Sequence, residues 1–353
     1  MLQGNEAVLA LLRPLLGLLE RPGVTELVVN RPGEAYIESD TGWERIEIPA
    51  MGVMHLRSMA AAIASYNKQT ISNTQPILSA VLPGKERVQI VLDPAVEAGQ
   101  ISFTIRRPDH KTKDLSEYTE ASLFDEVRWR LSNNDLDSLP VAESRLCQRL
   151  KDRDFEGFFR QAVRDRLNIC IVGDTGSGKT TLMKSLCAEI PKHERLITIE
   201  DVRELFMPEH GNQTNLLYSR GGQGQAKVSP ADLIASCMRM KPDRVLLAEL
   251  RGSESYDFLK LLTTGHAGSI TSFHAESCTR AIARFALMAK EHPEAAAYAV
   301  ADLKKLLFMT IDVIAHIRAE PVFNESGQQT GKRRLMSELY FDPFQKRDLA
   351  YET

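Results

Sequence analysis

The first third of the chain alternates apolar and polar residues over short distances. Residues 25–30, 34–39 and 43–49 read TELVVN, EAYIES and WERIEIP, with Pro-Gly and Thr-Gly turns between them. Because successive side chains of a strand face opposite sides of a sheet, this period of two predicts an antiparallel meander. Residues 7–19 have leucines at positions 9, 12, 16 and 19, a helical spacing that predicts an amphipathic first helix.

Beyond about residue 155 the apolar runs become nearly continuous and alternate with helical stretches. They read NICIVG, RLITIED, RVLLAEL, SITSFHA and DVIAHIR, at 168–173, 195–201, 244–250, 269–275 and 312–318. This pattern is typical of a mostly parallel sheet that is buried on both faces. A polar, turn-rich segment at 132–144 precedes it. We predict an α+β N-terminal domain at 1–135, a linker at 136–154 and an α/β domain at 155–353.

Composition restricts the compartment and the ligands. The 353 residues carry a net charge of -3 and no basic-aromatic stripe, which argues against direct nucleic-acid binding. The five cysteines form no Cys-x-x-Cys pair, which favours a reducing compartment. The apolar segment 7–19 lacks a cationic leader and falls short of the roughly 20 residues that span a bilayer.

The strongest chemical signal is the segment GDTGSGKTT, which fits G-x-x-x-x-G-K-[ST] between a predicted strand and a predicted helix. In such a P-loop, backbone N–H groups and the positive end of a helix dipole surround phosphate oxygens. Lys179 is expected to reach the β- and γ-phosphates, and Thr180 to offer its hydroxyl to Mg²⁺. The predicted ATP contacts are Gly173, Asp174, Thr175, Gly176, Ser177, Gly178, Lys179, Thr180 and Thr181.

Two acidic strand ends are candidates for the remaining catalytic groups. RVLLAELRG ends an apolar strand with Ala248 and Glu249, where an Asp-Glu pair is usual, so Glu249 is the candidate to position or activate water. In TIEDVREL, the acids Glu200, Asp201 and Glu204 could supply the Mg²⁺ contact that position 248 cannot. The alternative for this cluster is a solvated strand end that caps a helix.

Four motifs in this order, a P-loop, ITIEDVREL, LLAELRG and GHAGSITSFHA, resemble those of the secretion, or traffic, ATPases. These are hexameric motors of bacterial type IV secretion, type II secretion and type IV pili. The chain is most similar to the type IV secretion branch, because the tetracysteine insert typical of the type II branch is absent from the sequence.

The resemblance implies a RecA-like P-loop ATPase domain with a mostly parallel sheet, preceded by a smaller α+β domain. It also implies a homo-hexamer that hydrolyses ATP with Mg²⁺, located in the cytoplasm at the bacterial inner membrane. Channel proteins of that membrane are the implied partners, with peripheral membrane contact. Arg87 and Arg106 match N-terminal arginines that approach the γ-phosphate in such rings; for Arg106 the alternative is a strand-end salt bridge.

The two histidines of GHAGSITSFHA, His266 and His274, are eight residues apart with no cysteine between them, a poor spacing for zinc. Two interpretations remain. Either they donate hydrogen bonds beside the nucleotide and sense its γ-phosphate, or they hold the loop to the acidic strand end. We prefer the first for His274 and leave both open for His266.

Three other functions remain open at the level of sequence. The chain could be a nucleotide-gated scaffold with little turnover, a type II secretion or type IV pilus ATPase, or a DNA translocase. The sequence does not indicate whether the exported cargo is protein, DNA or a pilus subunit.

Overall fold

A computed structural model describes residues 3–107, 112–218 and 228–351. The chain forms two compact units. The first comprises Met1–His110, Ser219–Val228 and Pro321–Arg333, and the second comprises the remainder. The five cysteines all lie within the described residues and are free, buried thiols. Among the described residues, no helix has the length and apolar character that a membrane crossing requires.

The first unit is built on a six-stranded antiparallel sheet in the order β3-β2-β1-β6-β5-β4. Its strands are β1 (Glu26–Val29), β2 (Glu34–Ser39), β3 (Gly42–Glu47), β4 (Ile77–Val81), β5 (Arg87–Leu92) and β6 (Ile101–Arg106). The helices are α1 (Gln3–Leu19) and α2 (Val53–Tyr66). The predicted meander is present as β1 to β3, and the unit is α+β.

Helix α1 packs through a stripe that differs in part from the predicted one. Its buried residues are Val8, Leu12, Leu15 and Leu19, which join α2 and the sheet in one apolar core. Leu9 is 38% exposed, because the helical period carries it away from the stripe that starts at Val8.

The second unit contains a seven-stranded sheet in the order β13-β12-β7-β11-β10-β8-β9. The strands are β7 (Ile169–Val172), β8 (Leu196–Glu200), β9 (Gln213–Leu217), β10 (Arg244–Leu247), β11 (Ile270–Phe273), β12 (Val313–Phe323) and β13 (Gln329–Tyr340). The parts of β12 and β13 that lie within Pro321–Arg333 belong to the first unit. All pairs from β12 through to β9 are parallel, as predicted, and β13 lies at one edge. The carboxyl ends of β7, β11, β10 and β8 therefore share one edge of the sheet, where ligands of parallel sheets bind.

Nine helices of the second unit lie within the described residues and cover the sheet. They are α3 (Leu115–Glu120), α4 (Val141–Lys151), α5 (Phe155–Arg164), α6 (Lys179–Ala188), α7 (Pro230–Cys237), α8 (Glu254–Thr263), α9 (Cys278–Lys290), α10 (Val300–Thr310) and α11 (Pro343–Tyr351). Strands β7, β8, β10 and β11 are buried along their whole length, which explains their continuous apolar sequence.

The division between the units lies elsewhere than the predicted one. The first unit ends at His110 rather than at 135, and the predicted linker 136–154 forms α4 and its flanks within the second unit. Leu146, Cys147 and Leu150 of α4 are buried in the core of that unit. The polar turn residues before α4 indicated a linker, although the helix that follows has this short apolar face.

A buried ion pair joins the amino ends of several strands in the second unit. Arg244, which is fully buried at the start of β10, donates from Nε and Nη2 to the two carboxylate oxygens of Glu194, at 2.7 and 2.9 Å. Its Nη1 donates to Val163 O at 2.7 Å. The bidentate guanidinium holds the pKa of Glu194 below its usual value.

Replacement of Arg244 by Ala is expected to destabilise the protein by about 3–5 kcal/mol, because Glu194 would remain buried without its bidentate partner and with only Arg166, at 3.7 Å, as a neighbouring cation. Urea unfolding followed by far-UV circular dichroism would measure the loss. Arg280→Ala is the matched control, since Arg280 pairs with Glu276 at an exposed site.

The same pair predicts a pH dependence. A carboxylate whose pKa is lower in the folded than in the unfolded chain contributes to folding stability at pH values above its unfolded pKa. That contribution is lost as the pH falls through the folded pKa. The gap in stability between wild type and Arg244→Ala should therefore narrow as pH falls below about 4.3. A gap that stays constant into acid, or equal stability of both proteins at pH 7, would contradict the assigned role of the pair.

Candidate functional site

The segment between β7 and α6 has the backbone of a phosphate-binding loop. Gly173 follows β7 with φ +151°, and a Cβ there would lie 2.0 Å from Ile317 O, so this position excludes other residues. Gly178 has φ +99° and caps the amino end of α6, whose first residue is Lys179. The predicted strand, loop and helix are all present. The loop leaves room for a ligand close to the backbone and to the positive end of α6.

Lys179 lies at the centre of this loop. Its Nζ donates to Gly173 O at 2.9 Å and to Asp174 O at 2.8 Å, so the ammonium is held where phosphate oxygens would bind. Ser177 Oγ also donates to Asp174 O, at 2.8 Å. Thr180 and Thr181 occupy the first turn of α6 and are half-buried. These donors fit a nucleoside triphosphate.

Glu249 and His274 lie next to the loop because β11 pairs with β7 and β10 pairs with β11. Glu249 follows β10 and His274 follows β11. His274 Nε2 is 3.2 Å from Glu249 Oε1, and its Nδ1 is 3.1 Å from Gly173 O and 3.4 Å from Lys179 Nζ. A single imidazole thus connects the carboxylate to the P-loop. The structure brings Lys179, Glu249 and His274 together; their roles stay predictions.

The imidazole of His274 can connect these groups in two tautomers. With the proton on Nε2 it donates to Glu249 and accepts from Lys179 through Nδ1. With the proton on Nδ1 it donates to Gly173 O instead. A change at the P-loop can therefore alter the hydrogen bond at Glu249, which suits a group that senses phosphate.

Of the three acids proposed for Mg²⁺, Glu200 has a different role. It is fully buried at the end of β8, and burial raises its pKa. Its Oε2 accepts from the backbone N–H groups of Glu204 and Leu205 at 2.7 and 2.9 Å, and its Oε1 accepts from Thr198 Oγ1 at 3.0 Å. Glu200 therefore shapes the turn after β8. The expectation that it contacts Mg²⁺ is corrected, because the side chain is fully buried and all its observed hydrogen bonds hold the chain itself.

Asp201 and Glu204 remain the candidates for the metal. Within the described residues, no three His, Cys, Asp or Glu side chains converge as a preformed metal site. Mg²⁺ commonly uses one or two carboxylates together with substrate phosphates and water, so a preformed cluster is not required. Thr180 with Asp201 or Glu204 fits that pattern of donors.

His266 lies at the opposite edge of the sheet from the P-loop. It precedes β11, whereas His274 follows it, and the four residues of β11 advance about 3.3 Å each. The neighbouring Gly268 N–H donates to Asn168 Oδ1, just before β7, which marks the amino edge. Of the two interpretations left open for His266, contact with the nucleotide does not fit the P-loop of the same chain, because the loop follows β7 at the other edge of the sheet. The imidazole of His266 contacts its own loop, with Nδ1 3.4 Å from Thr264 Oγ1, so it does not hold the loop to the acidic strand end at the other edge.

Arg87 and Arg106 belong to the first unit. They face each other in register on β5 and β6, and Arg106 is also in register with Glu26 of β1. Burial raises the pKa of Glu26, and the charge of Arg106 partly offsets that effect. Arg106 is therefore in register with a carboxylate on the neighbouring strand, and both the strand-end salt bridge and a role at a γ-phosphate stay predictions.

Two arginines lie beside the site, of which the sequence offered only Arg251, as a weaker candidate to bridge the strand end to the histidine loop. Arg251 pairs with Glu249 and lies near Asp201. Arg334 of β13 lies beside the P-loop, since a Cβ on Gly178 would be 3.4 Å from its Cδ. The proximity of Arg251 in sequence to Glu249 was a usable signal. No local sequence feature links Arg334 to the P-loop, because only the topology of the sheet places it beside that loop.

Fold and site together define a P-loop protein of the α/β class. The family model for Type II/IV secretion system proteins matches residues 10–318, and the chain belongs to this family. It is 42% identical over 343 residues to the type IV secretion system protein VirB11 of Brucella suis, covering 97% of this chain and 92% of the relative. It is 40% identical over 348 residues to VirB11 of Bartonella quintana, covering 97% and 95%. The expected similarity to the type IV secretion branch is confirmed.

Solved structures agree with this assignment. The crystal structure of the Brucella suis VirB11 ATPase in complex with sulphate matches at a TM-score of 0.54 and 42% identity, covering 99% of this chain and 98% of that chain. The Legionella pneumophila ATPase DotB matches at a TM-score of 0.61 and 17% identity, covering 96% and 82%. The second match shows a shared fold.

Proposed function

We propose that the chain is an Mg²⁺-dependent ATPase, hydrolysing ATP to ADP and phosphate to power a bacterial type IV secretion system. The second unit would be its RecA-like catalytic domain and the first its smaller N-terminal domain. The observation that carries the proposal is the contact chain from Lys179 and Gly173 through His274 to Glu249. Through contacts at hydrogen-bond distance, it joins a phosphate-binding loop to a carboxylate.

Each group has a defined task in this reaction. The loop N–H groups and Lys179 would bind the β- and γ-phosphate oxygens and stabilise the charge that develops during transfer. Glu249 would orient the attacking water and accept its proton. Bound Mg²⁺ would supply further neutralisation of phosphate charge. Thr180, with Asp201 or Glu204, would hold it.

His274 would couple hydrolysis to movement. Its ring contacts Glu249 on one side and the P-loop on the other, so loss of the γ-phosphate would change its hydrogen bonds. A motor needs such a group, because each state of the nucleotide must produce different contacts elsewhere.

The family relationship supports the rest of the proposal. A homo-hexameric ring at the cytoplasmic face of the inner membrane, docked on channel proteins, is what membership of the type IV branch implies. Because Arg87 and Arg106 match arginines of that branch, their action on a γ-phosphate remains part of the proposal.

The proposal is tested by steady-state phosphate release from ATP by the purified full-length chain. We expect multiple turnovers with Mg²⁺ and none when EDTA removes it. Tight ATP binding without steady release would instead support a nucleotide-gated scaffold. Hydrolysis that requires DNA and falls steeply with salt would support a translocase.

Replacement of His274 by Ala is expected to lower kcat by about tenfold to a hundredfold while leaving ATP affinity nearly unchanged, since the ring orients other groups. The measurement is steady-state kinetics together with a fluorescent-nucleotide titration. His266→Ala is the comparison, and it should retain turnover because it lies at the other edge of the sheet. Equal turnover in both variants would favour a loop-holding role for His274.

A further inference from the structure

We propose that Arg251 is a positioning residue that holds Glu249 and Asp201 in one arrangement and so sets the orientation of the water-activating carboxylate. This inference rests on the proposed ATPase function and adds to it a residue that acts through Glu249. In this role Arg251 acts on Glu249 and not on ATP itself. It follows Glu249 by two residues, in the loop between β10 and α8.

The two terminal nitrogens of the Arg251 guanidinium face two different carboxylates. Nη2 donates to Glu249 Oε2, and Nη1 lies 3.5 Å from Asp201 Oδ2. The three side chains are largely buried, with exposed fractions of 28% for Arg251, 22% for Glu249 and 11% for Asp201. The contact with Glu249 is a charge-assisted hydrogen bond, which is stronger and more directional in such a partly dry site than on the surface. Nη1 has no hydrogen-bond partner among the described residues, so it acts on Asp201 through its charge.

The backbone of Arg251 is held as well as its side chain. The N–H groups of Arg251 and Gly252 donate to Glu254 Oε1, at 2.6 and 3.0 Å, where α8 begins. The guanidinium therefore starts from a fixed loop. A fixed starting point reduces the conformational entropy that is lost in holding a long side chain in one position.

Tyr218 borders the same cluster, near Asp201 and Arg251, and burial raises the pKa of its phenol. It therefore stays neutral and adds no charge beside the two carboxylates. With Tyr218 uncharged, the guanidinium is the cation that faces both Glu249 and Asp201 in the observed contacts. It offsets the repulsion between them and keeps them at a defined separation.

Arg251 and His274 each connect Glu249 to the end of another strand of the sheet. His274 connects the ends of β7 and β10 across β11, through Gly173 and Glu249. Arg251 connects the ends of β10 and β8, through Glu249 and Asp201. Glu249 is thus held from both sides along four neighbouring strands, and loss of either partner frees one of its oxygens.

The chemistry of arginine suits this role better than that of lysine. A planar fork can bind two carboxylates at once with separate nitrogens, whereas an ammonium is a point charge. We therefore expect Arg251→Lys to keep part of the function and Arg251→Met to lose it, although Met fills a similar volume.

The test compares Arg251→Met and Arg251→Lys with wild type in the full-length chain, with Arg280→Met as the exposed control. We expect Arg251→Met to lower kcat by about 10- to 100-fold with the KM for ATP within about threefold, and Arg251→Lys to recover part of kcat. Because Arg251 acts through Glu249, adding Arg251→Met to Glu249→Gln should lower kcat by less than about twofold further.

Other outcomes overturn the inference. A raised KM at normal kcat would indicate direct nucleotide contact, and losses that multiply in the double variant would separate Arg251 from Glu249. Normal kcat in Arg251→Met, with an active wild type, would remove the positioning role alone. A wild type that releases no phosphate would overturn the proposed function itself, and this role with it. If Arg251→Met melts at a lower temperature than wild type, the positioning role is judged from kcat in Arg251→Lys and in the double variant. No recovery of kcat in Arg251→Lys, together with losses that multiply in the double variant, would overturn the role.

Discussion

Replacement of Lys179 by Ala is expected to reduce phosphate release by at least about 10²-fold, to the background of the assay. The ammonium is fixed in the P-loop by Gly173 O and Asp174 O, where it would face the β- and γ-phosphates. Its removal takes away a preorganised positive charge from the place where negative charge develops in phosphoryl transfer. ATP affinity should fall as well, because Lys179 also binds the ground state.

The measurement is steady-state phosphate release with Mg²⁺-ATP, and circular dichroism checks that the variant folds. Lys192→Ala is the matched control, since Lys192 is half-exposed and pairs with Glu209 on the surface of the same unit. Turnover in Lys179→Ala within a few-fold of Lys192→Ala would show that the loop is not the catalytic phosphate site.

Replacement of Glu249 by Gln is expected to give a protein that binds ATP normally but turns over about 10²- to 10⁴-fold more slowly. The amide has the shape of the carboxylate and can keep a hydrogen bond with His274. It cannot accept a proton from water, and it loses its ionic contact with Arg251. Nucleotide contacts made by the P-loop are untouched, which separates binding from turnover.

A fluorescent-nucleotide titration and a single-turnover assay measure the two quantities on the same sample. Glu276→Gln serves as control, because Glu276 is exposed and pairs with Arg280 away from the site. Normal turnover in Glu249→Gln would remove the water-activating role and transfer it to another acid, with Asp201 the nearest alternative through Arg251.

The parallel sheet and the convergence of Lys179, Glu249 and His274 were predictable because both follow from local sequence. Five nearly continuous apolar runs between helical stretches are typical of strands that are buried on both faces. Once those strands are parallel, residues that follow them meet at one edge. The motif at 173–181 identified which edge carries the chemistry.

The errors arose where a residue depends on packing or topology. Glu200 and Asp201 are adjacent in sequence, yet the first is fully buried and satisfied by backbone N–H groups while the second reaches Arg251. Composition cannot distinguish two neighbouring acids in this way. His266 and His274 occur in one motif, but a strand of four residues separates them and places them at opposite edges.

The unit boundary was predicted incorrectly for a related reason. Turn-forming residues at 132–144 indicated a linker, but the following helix buries Leu146, Cys147 and Leu150. Only these three of the eleven residues of α4 are buried, and they gave little contrast with the polar sequence before them. The hairpin residues Pro321–Arg333 group with the first unit although they are distant in sequence, which no local pattern reveals.

The central claim is that the chain is a ring ATPase, and the most direct test is to measure mass and activity on the same fractions. Size-exclusion chromatography with light scattering, with Mg²⁺-ATP in the buffer, should show a species of six 39.5 kDa chains. Phosphate release per chain should follow that species across the elution profile, and in Glu249→Gln the same species should release phosphate about 10²- to 10⁴-fold more slowly. A strictly monomeric protein with full activity, or a hexamer that releases no phosphate, would contradict the account.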